Sequence, residues 1–79
     1  MPRLKVLSGR NLLKIFAYYG FEKIDQHGSH AKIRRNVEGR RETLTIPMHT
    51  EIDTGLLKQI FLQASRYIPE NDLRPHFYN

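Results

Sequence analysis

The first regular pattern in the chain is an apolar stripe with the period of an α-helix. Four apolar residues recur at positions i, i+3, i+4 and i+7, namely Leu12, Ile15, Phe16 and Tyr19. Ser8 precedes the stripe and is a favoured N-cap residue, and Gly20 follows it and favours helix termination. The pattern predicts an amphipathic helix between Ser8 and Gly20, preceded by a basic arm from Met1 to Leu7.

A second and wider helical stripe lies further along the chain. Its apolar members are Ile52, Leu56, Leu57, Ile60, Phe61 and Ala64. Thr50, with Asp53 three residues later, resembles a capping box in which Asp takes the place of Glu. We therefore expect a second helix that ends near Ser65 and forms the main wall of the core. Tyr67 to Leu73 is expected to form a turn, with at most one further helical turn after it. Arg74 to Asn79 is expected to be poorly ordered.

Between the helices the pattern favours strands. His30 to Asn36 and Glu42 to Pro47 flank Val37 to Arg40, a segment whose Gly39 suits a hairpin turn, and strands joined so closely are antiparallel. The core face of the later strand is expected to consist of Leu44, Ile46 and Met48. Phe21 to Gln26 does not follow period two, but its place between two glycines favours a third, short strand. The order predicts a two-layer α+β sandwich, αβββα, with a three-stranded antiparallel sheet and both helices on one face.

Composition restricts the classes of function. With 13 Lys and Arg against 8 Asp and Glu, the chain has a formal charge of +5, which favours nucleic acid or an acidic protein as partner. The lack of cysteine excludes disulfides, thiolate metal sites and cysteine nucleophiles. Residues 1–79 are expected to form one domain, too small for a large internal cofactor cavity, so no small-molecule cofactor is expected. With no long apolar run and no secretory signal pattern, we expect a cytoplasmic protein without a membrane segment.

The candidate chemistry lies in the tripeptide Gly28-Ser29-His30 and the strand that it opens. Because side chains on a strand alternate, His30, Lys32 and Arg34 are expected to share one sheet face. The ordinary pKa of histidine, about 6.5, allows it to exchange a proton near neutral pH, and Lys and Arg bind phosphate. This combination favours chemistry on a nucleic-acid backbone, and the alternative for His30 is a hydrogen bond to the preceding turn.

Further cations fall outside the apolar stripes. Lys5, Arg10 and Lys14 are available at the surface for phosphate, although such residues usually only solvate a helix. Arg40 and Arg41 lie beside the hairpin turn, where they either dock a partner or serve solubility.

Two other histidines are candidates for a second acid or base. The structural alternatives are an exposed turn position for His27 and a helix-capping position for His49. The separation of His27 and His30 matches neither a helical nor a finger-type zinc spacing, so we expect no metal.

An ordered set of motifs is similar to that of one known family. The motifs are Ser8-Gly9-Arg10, Gly20-Phe21, Gln26-x-Gly28-Ser29-His30, Ile46-Pro47-x-His49-x-Glu51 and Leu57-x-x-Ile60. Over about Leu4 to Leu73 the chain resembles the HicA (YcfA-like) toxins of bacterial and archaeal toxin–antitoxin pairs. The resemblance implies a fold like that of double-stranded RNA-binding domains and ribosome-independent cleavage of mRNA. One departure is Thr54-Gly55-Leu56, where family members often have Gly-Thr-Leu.

The resemblance also implies roles for individual residues. His30 becomes the catalytic acid or base, and Gly28 and Ser29 shape the turn that presents it. By their charge and surface positions, rather than by the resemblance, the residues expected to hold single-stranded RNA are Lys5, Arg10, Lys14, Lys32, Arg34 and Arg41. An acidic HicB-type antitoxin is expected to cover the same basic face. The alternatives are a non-catalytic RNA-binding module and a protein-binding adaptor.

Overall fold

The computed structural model describes residues 2–79 as three helices and one sheet. The elements are α1 (Gly9–Tyr18), β1 (Glu22–His27), β2 (His30–Val37), β3 (Arg40–Pro47), α2 (Thr54–Ala64) and α3 (Glu70–Phe77). The strands form an antiparallel sheet in the order β1-β2-β3. The predicted α+β class and αβββα order are confirmed, with a third helix added at the end.

All three helices share one buried cluster with one face of the sheet. Ile33 of β2 and Leu44 and Ile46 of β3 belong to this cluster. Its helical members are Leu12, Phe16, Leu57, Ile60, Phe61, Ala64, Leu73 and Phe77. The prediction that both main helices lie on one sheet face is therefore confirmed, and the opposite face is left without a helix.

The two main helices begin with different caps. Ser8 caps α1 as predicted, since its Oγ accepts the Asn11 N–H at 3.0 Å and Asn11 Oδ1 accepts the Ser8 N–H at 2.9 Å. The predicted box of Thr50 with Asp53 is wrong, because Asp53 is itself the N-cap of α2. The helix does not begin before Asp53, because Ile52 is buried and donates its N–H to the Leu7 carbonyl.

The end of the chain is folded rather than loose, which corrects the expectation for Arg74 to Asn79. In α3 both Leu73 and Phe77 are fully buried, one helical turn apart. Tyr78 then forms an isolated bridge with Leu4 of the basic arm. The sequence did not predict this helix at full length, because Pro75 lies inside it and proline usually ends a helix.

A β-bulge explains why the first strand does not follow period two. Lys23 pairs with Ile33 and Asp25 pairs with Lys32, so Ile24 is the extra residue. The predicted strand is confirmed at Glu22–His27, and every one of its residues is exposed. With the bulge, β1 lies outside the core and still pairs with β2 on both sides of Ile24.

A half-buried guanidinium connects four parts of the fold. Arg35 of β2 forms a 2.6 Å ion pair through Nε with Glu42 Oε1 on β3. Its Nη1 donates to the Tyr19 carbonyl at 2.8 Å, and its Nη2 donates to the Tyr67 carbonyl at 2.7 Å. The same group lies 4.9 Å from the centre of the Phe21 ring. Arg35 thus joins the sheet to the end of α1 and to the segment between α2 and α3.

Replacing Arg35 with methionine should destabilise the fold strongly, because the carboxylate of Glu42 then stays buried without a counter-charge. We expect Arg35→Met to lower the free energy of unfolding by about 3–5 kcal/mol, measured by urea denaturation. The matched control is Arg34→Met, one position away on the open sheet face, for which we expect a loss of about 1 kcal/mol or less. Similar losses for the two variants would contradict a central role for Arg35.

Candidate functional site

His30 lies directly after a tight turn between β1 and β2. His27 and His30 face each other across the hairpin, and Gly28 and Ser29 form the turn between them. Gly28 has a φ of +58°, and Ser29 is not among the residues with positive φ. A positive φ at the first central position alone is the type II′ pattern, which favours glycine there. Gly28 therefore has the conformation needed to place His30 at the head of β2.

The same turn is fixed from the other side by the end of β3. The Ser29 carbonyl accepts the backbone N–H of Met48. His30 pairs with Pro47 in the β2–β3 register. The turn is thus held by the end of β3 as well as by the two strands that it connects, which fixes the backbone of His30.

The segment after β3 packs directly on the beginning of α1. The Gly9 N–H donates to the His49 carbonyl at 2.9 Å. A Cβ built at Gly9 would lie 2.4 Å from the Pro47 oxygen and 2.7 Å from Met48 Cα. Only glycine permits this approach, which explains its place between Ser8 and Arg10.

These contacts bring three of the sequence motifs to one corner of the molecule. We define the candidate site as residues 8–10, 28–30 and 47–50. It contains an open cleft of about 390 Å³ lined by Ser8, Arg10, Met48, His49 and Thr50. Ser8, Met48 and Thr50 were not among the sequence candidates, although Gly9 at the first helical position is a signal of close packing.

The open face of the sheet extends from this corner along β2. His30 and Lys32 are exposed and Arg34 is half-buried, whereas Ala31 and Ile33 are buried. The predicted sharing of one face by His30, Lys32 and Arg34 is confirmed.

Acidic residues of β1 share that face. Asp25 lies opposite Lys32, and Glu22 lies opposite Arg34. On the other side, Arg34 Nε donates to Thr43 Oγ1 at 3.2 Å. The face therefore carries a cationic central strand beside an acidic edge, a pattern that sequence alternation did not predict.

Asp25 also holds the ring of His27. The His27 Nε2 and Asp25 Oδ2 atoms are 2.9 Å apart, and Asp25 Oδ1 accepts the Gln26 N–H at 2.8 Å. That backbone hydrogen bond, followed by the charges of His27 and Lys32, lowers the pKa of Asp25 below its ordinary value. Asp25 is thus ionised at neutral pH and orients His27, which is the last residue of β1 and not part of the turn. The spacing of two residues on a strand is the signal that could have revealed this pair.

The remaining candidate site residues from the sequence lie in different parts of the structure, and one of them is bound to α3. Arg10 and Lys14 are exposed on α1, and Arg41 is exposed on β3. Lys5 is half-buried, and its Nζ donates to the Pro75 carbonyl of α3 at 2.9 Å. His49 is exposed beside the cleft. The structure thus brings Arg10 and His49 to the candidate site and ties Lys5 to α3.

Two kinds of feature are absent from residues 2–79: a cluster of metal-ligating side chains and a membrane-spanning helix. Across residues 2–79, no group of three or more His, Asp or Glu side chains is arranged to hold a metal ion. In the same part of the chain, no helix has the length and apolar character needed to cross a membrane.

The chain is similar to a known protein family. A family model described as the HicA toxin of bacterial toxin–antitoxin matches residues 9–65. The match runs from the first residue of α1 to the residue after α2, so it includes the sheet and leaves out the basic arm and α3. No curated protein and no solved structure matches the chain.

Adding one methyl group at Gly9 should disturb the candidate site. We expect Gly9→Ala to destabilise the protein by about 1–3 kcal/mol, because the new Cβ meets the backbone of Pro47 and Met48. The control is Gly55→Ala in the first turn of α2, where the nearest atom to a new Cβ is Asp53 Oδ1 at 3.6 Å. Alanine is the better helix former, so Gly55→Ala should stabilise by up to about 1 kcal/mol. Thermal denaturation of both variants measures the contrast, and a neutral Gly9→Ala would contradict the close approach.

Proposed function

The chain belongs to the HicA toxin family, so it is the toxin of a toxin–antitoxin pair, and we propose that it acts as a ribosome-independent mRNA interferase. In this proposal it is an endoribonuclease that inhibits translation by cutting mRNA. The observation that supports it most is the position of His30. Its exposed side chain follows a turn held by the end of β3, and it heads a cationic strand. Its register partner Pro47 leads directly into Met48 and His49, which line the open cleft.

The proposed reaction uses a nucleophile that RNA itself carries. The 2′-hydroxyl attacks the neighbouring phosphorus, and the bond from phosphorus to the 5′-oxygen breaks. His30 acts as general base on the 2′-hydroxyl or as general acid on the leaving 5′-oxygen. Lys32 and Arg34 lie on the same sheet face and stabilise the negative charge that develops on the phosphorane.

His27 is the better supported of the two candidates for a second acid or base. Directly opposed side chains on antiparallel strands have Cβ atoms about 5 Å apart, which places His27 beside His30. The carboxylate of Asp25 orients its ring. His49 lies on the other side of His30, beside the cleft with Arg10, and suits a phosphate contact.

The proposal needs neither a metal nor a cofactor, because imidazole groups move the protons and the substrate supplies the nucleophile. We further propose that a HicB-type acidic antitoxin covers the open face, since the chain has a net charge of +5. A toxin that acts on mRNA works in the cytoplasm.

Cleavage of a long single-stranded RNA tests the proposed activity. In the presence of EDTA, wild-type protein should produce fragments on a denaturing gel, and His30→Ala should cleave at least about 100-fold more slowly. His27→Ala should also cleave RNA more slowly than the wild type. His49→Ala should mainly weaken RNA binding.

Three outcomes would contradict parts of this scheme. Loss of cleavage on adding EDTA would contradict metal independence. Full activity of His30→Ala would remove His30 from the reaction. RNA binding without any cleavage by the wild type would identify a non-catalytic RNA-binding module instead.

The salt dependence of RNA binding should distinguish the surface cations from one another. We expect Lys32→Ala and Arg10→Ala each to weaken binding and to reduce the slope of log K against log salt by about 0.7, the value for one phosphate contact on a single strand. Lys5→Ala is the matched control, because its ammonium is hydrogen-bonded to Pro75 and should change the slope little. Equal effects of all three variants would indicate a diffuse field rather than defined phosphate contacts.

A further inference from the structure

The outer face of α1 carries two cations and an exposed aromatic ring in line. Arg10, Lys14 and Tyr18 follow one another at intervals of four residues, so they lie on successive turns of one helix face. The opposite face of α1 holds the buried Leu12 and Phe16. All three residues of the line are exposed, and Tyr18 is 79% exposed. The fold does not require these side chains for its core.

The charge along this face suits a polyanion. Helix α1 contains no Asp or Glu from Gly9 to Tyr18. Within residues 2–79, neither Arg10 nor Lys14 takes part in an ion pair. Along the helix axis they are about 6 Å apart, on the order of the spacing of consecutive phosphates in a single strand. Two neighbouring phosphates can therefore meet the two cations in turn.

The ring of Tyr18 packs against two neighbouring rings and is otherwise open to solvent. It stands nearly perpendicular to the Tyr19 ring, with centroids 5.1 Å apart, and 6.2 Å from the ring of His76 on α3. Tyr19 is itself fixed, because its hydroxyl donates to the Asp72 carbonyl at 3.1 Å and lies 3.0 Å from His76 Nε2. A supported ring with an accessible face is a platform on which a base can stack at small entropic cost.

We propose that Arg10, Lys14 and Tyr18 form a track for single-stranded RNA that leads from the cleft along α1, with one base stacked on Tyr18. The track rests on the proposed function, because the same RNA strand reaches His30. Arg10 lines the cleft, and Tyr18 lies about 12 Å further along the helix axis, a distance of a few nucleotides. An acidic protein could neutralise the two cations, but an exposed ring at the end of the line favours a partner that also has π-faces.

Binding of 2′-O-methylated RNA tests the track without cleavage, because this probe lacks the nucleophile. We would measure fluorescence anisotropy with labelled strands of 2 and 12 nucleotides. Tyr18→Ala and Tyr18→Leu should weaken binding of the 12-nucleotide strand at least about 5-fold and leave the 2-nucleotide strand, which is too short to reach from the cleft to Tyr18, unchanged. Tyr18→Phe should bind like the wild type. Leu62→Ala, at an exposed apolar residue of α2, is the control.

The outcomes separate this inference from the proposed function. Unchanged binding of the 12-nucleotide strand by Tyr18→Ala, or equal weakening of both strands, would overturn the track even if the wild type cleaves RNA. Tyr18-dependent binding together with no cleavage of unmodified RNA would support the track and overturn the proposed nuclease activity. If the wild type bound neither strand, both would fail.

Discussion

The contact on which the rest of the structure depends is the ion pair between Arg35 and Glu42 inside the two-layer fold. A buried ion pair stabilises a fold only when further hydrogen bonds satisfy the guanidinium, and the carbonyls of Tyr19 and Tyr67 supply them. These partners fix β2 relative to β3, the end of α1 and the segment between α2 and α3. Because β2 carries Arg35 on its inner side and begins with His30, the same contact determines where the candidate site lies relative to the helices.

Elements whose apolar residues repeat with a regular period could be predicted from the sequence. The stripe of α1 and the alternation in β2 and β3 give nearly the observed bounds. The cap of α2 was predicted three residues too early, because the choice between Thr50 and Asp53 depends on the pairing of Ile52 with Leu7, which is distant in sequence. For α3 the sequence indicated at most one helical turn, because only Leu73 and Phe77 mark its buried side and Pro75 interrupts it.

The candidate site also has features that the sequence predicts and features that it does not. The common face of His30, Lys32 and Arg34 follows from alternation alone and was predicted. The cleft could not be predicted, because it forms where Gly9 meets Pro47 and Met48. The acidic edge of the open face also escaped prediction, since the bulge in β1 shifts which of its residues face the cations, and hydrophobic periodicity carries no signal for it.

The bulge at Ile24 has a consequence for the solubility of the toxin. Strand β1 is an edge strand with every side chain exposed, and such edges invite pairing with a second chain and aggregation. Ile24 has no partner on β2, so a chain without it could retain the pairs of Lys23 and Asp25 with β2. That chain would present a regular edge to its neighbours. The extra residue twists the edge and interrupts the ladder, which discourages the toxin from joining edge to edge when no partner covers it.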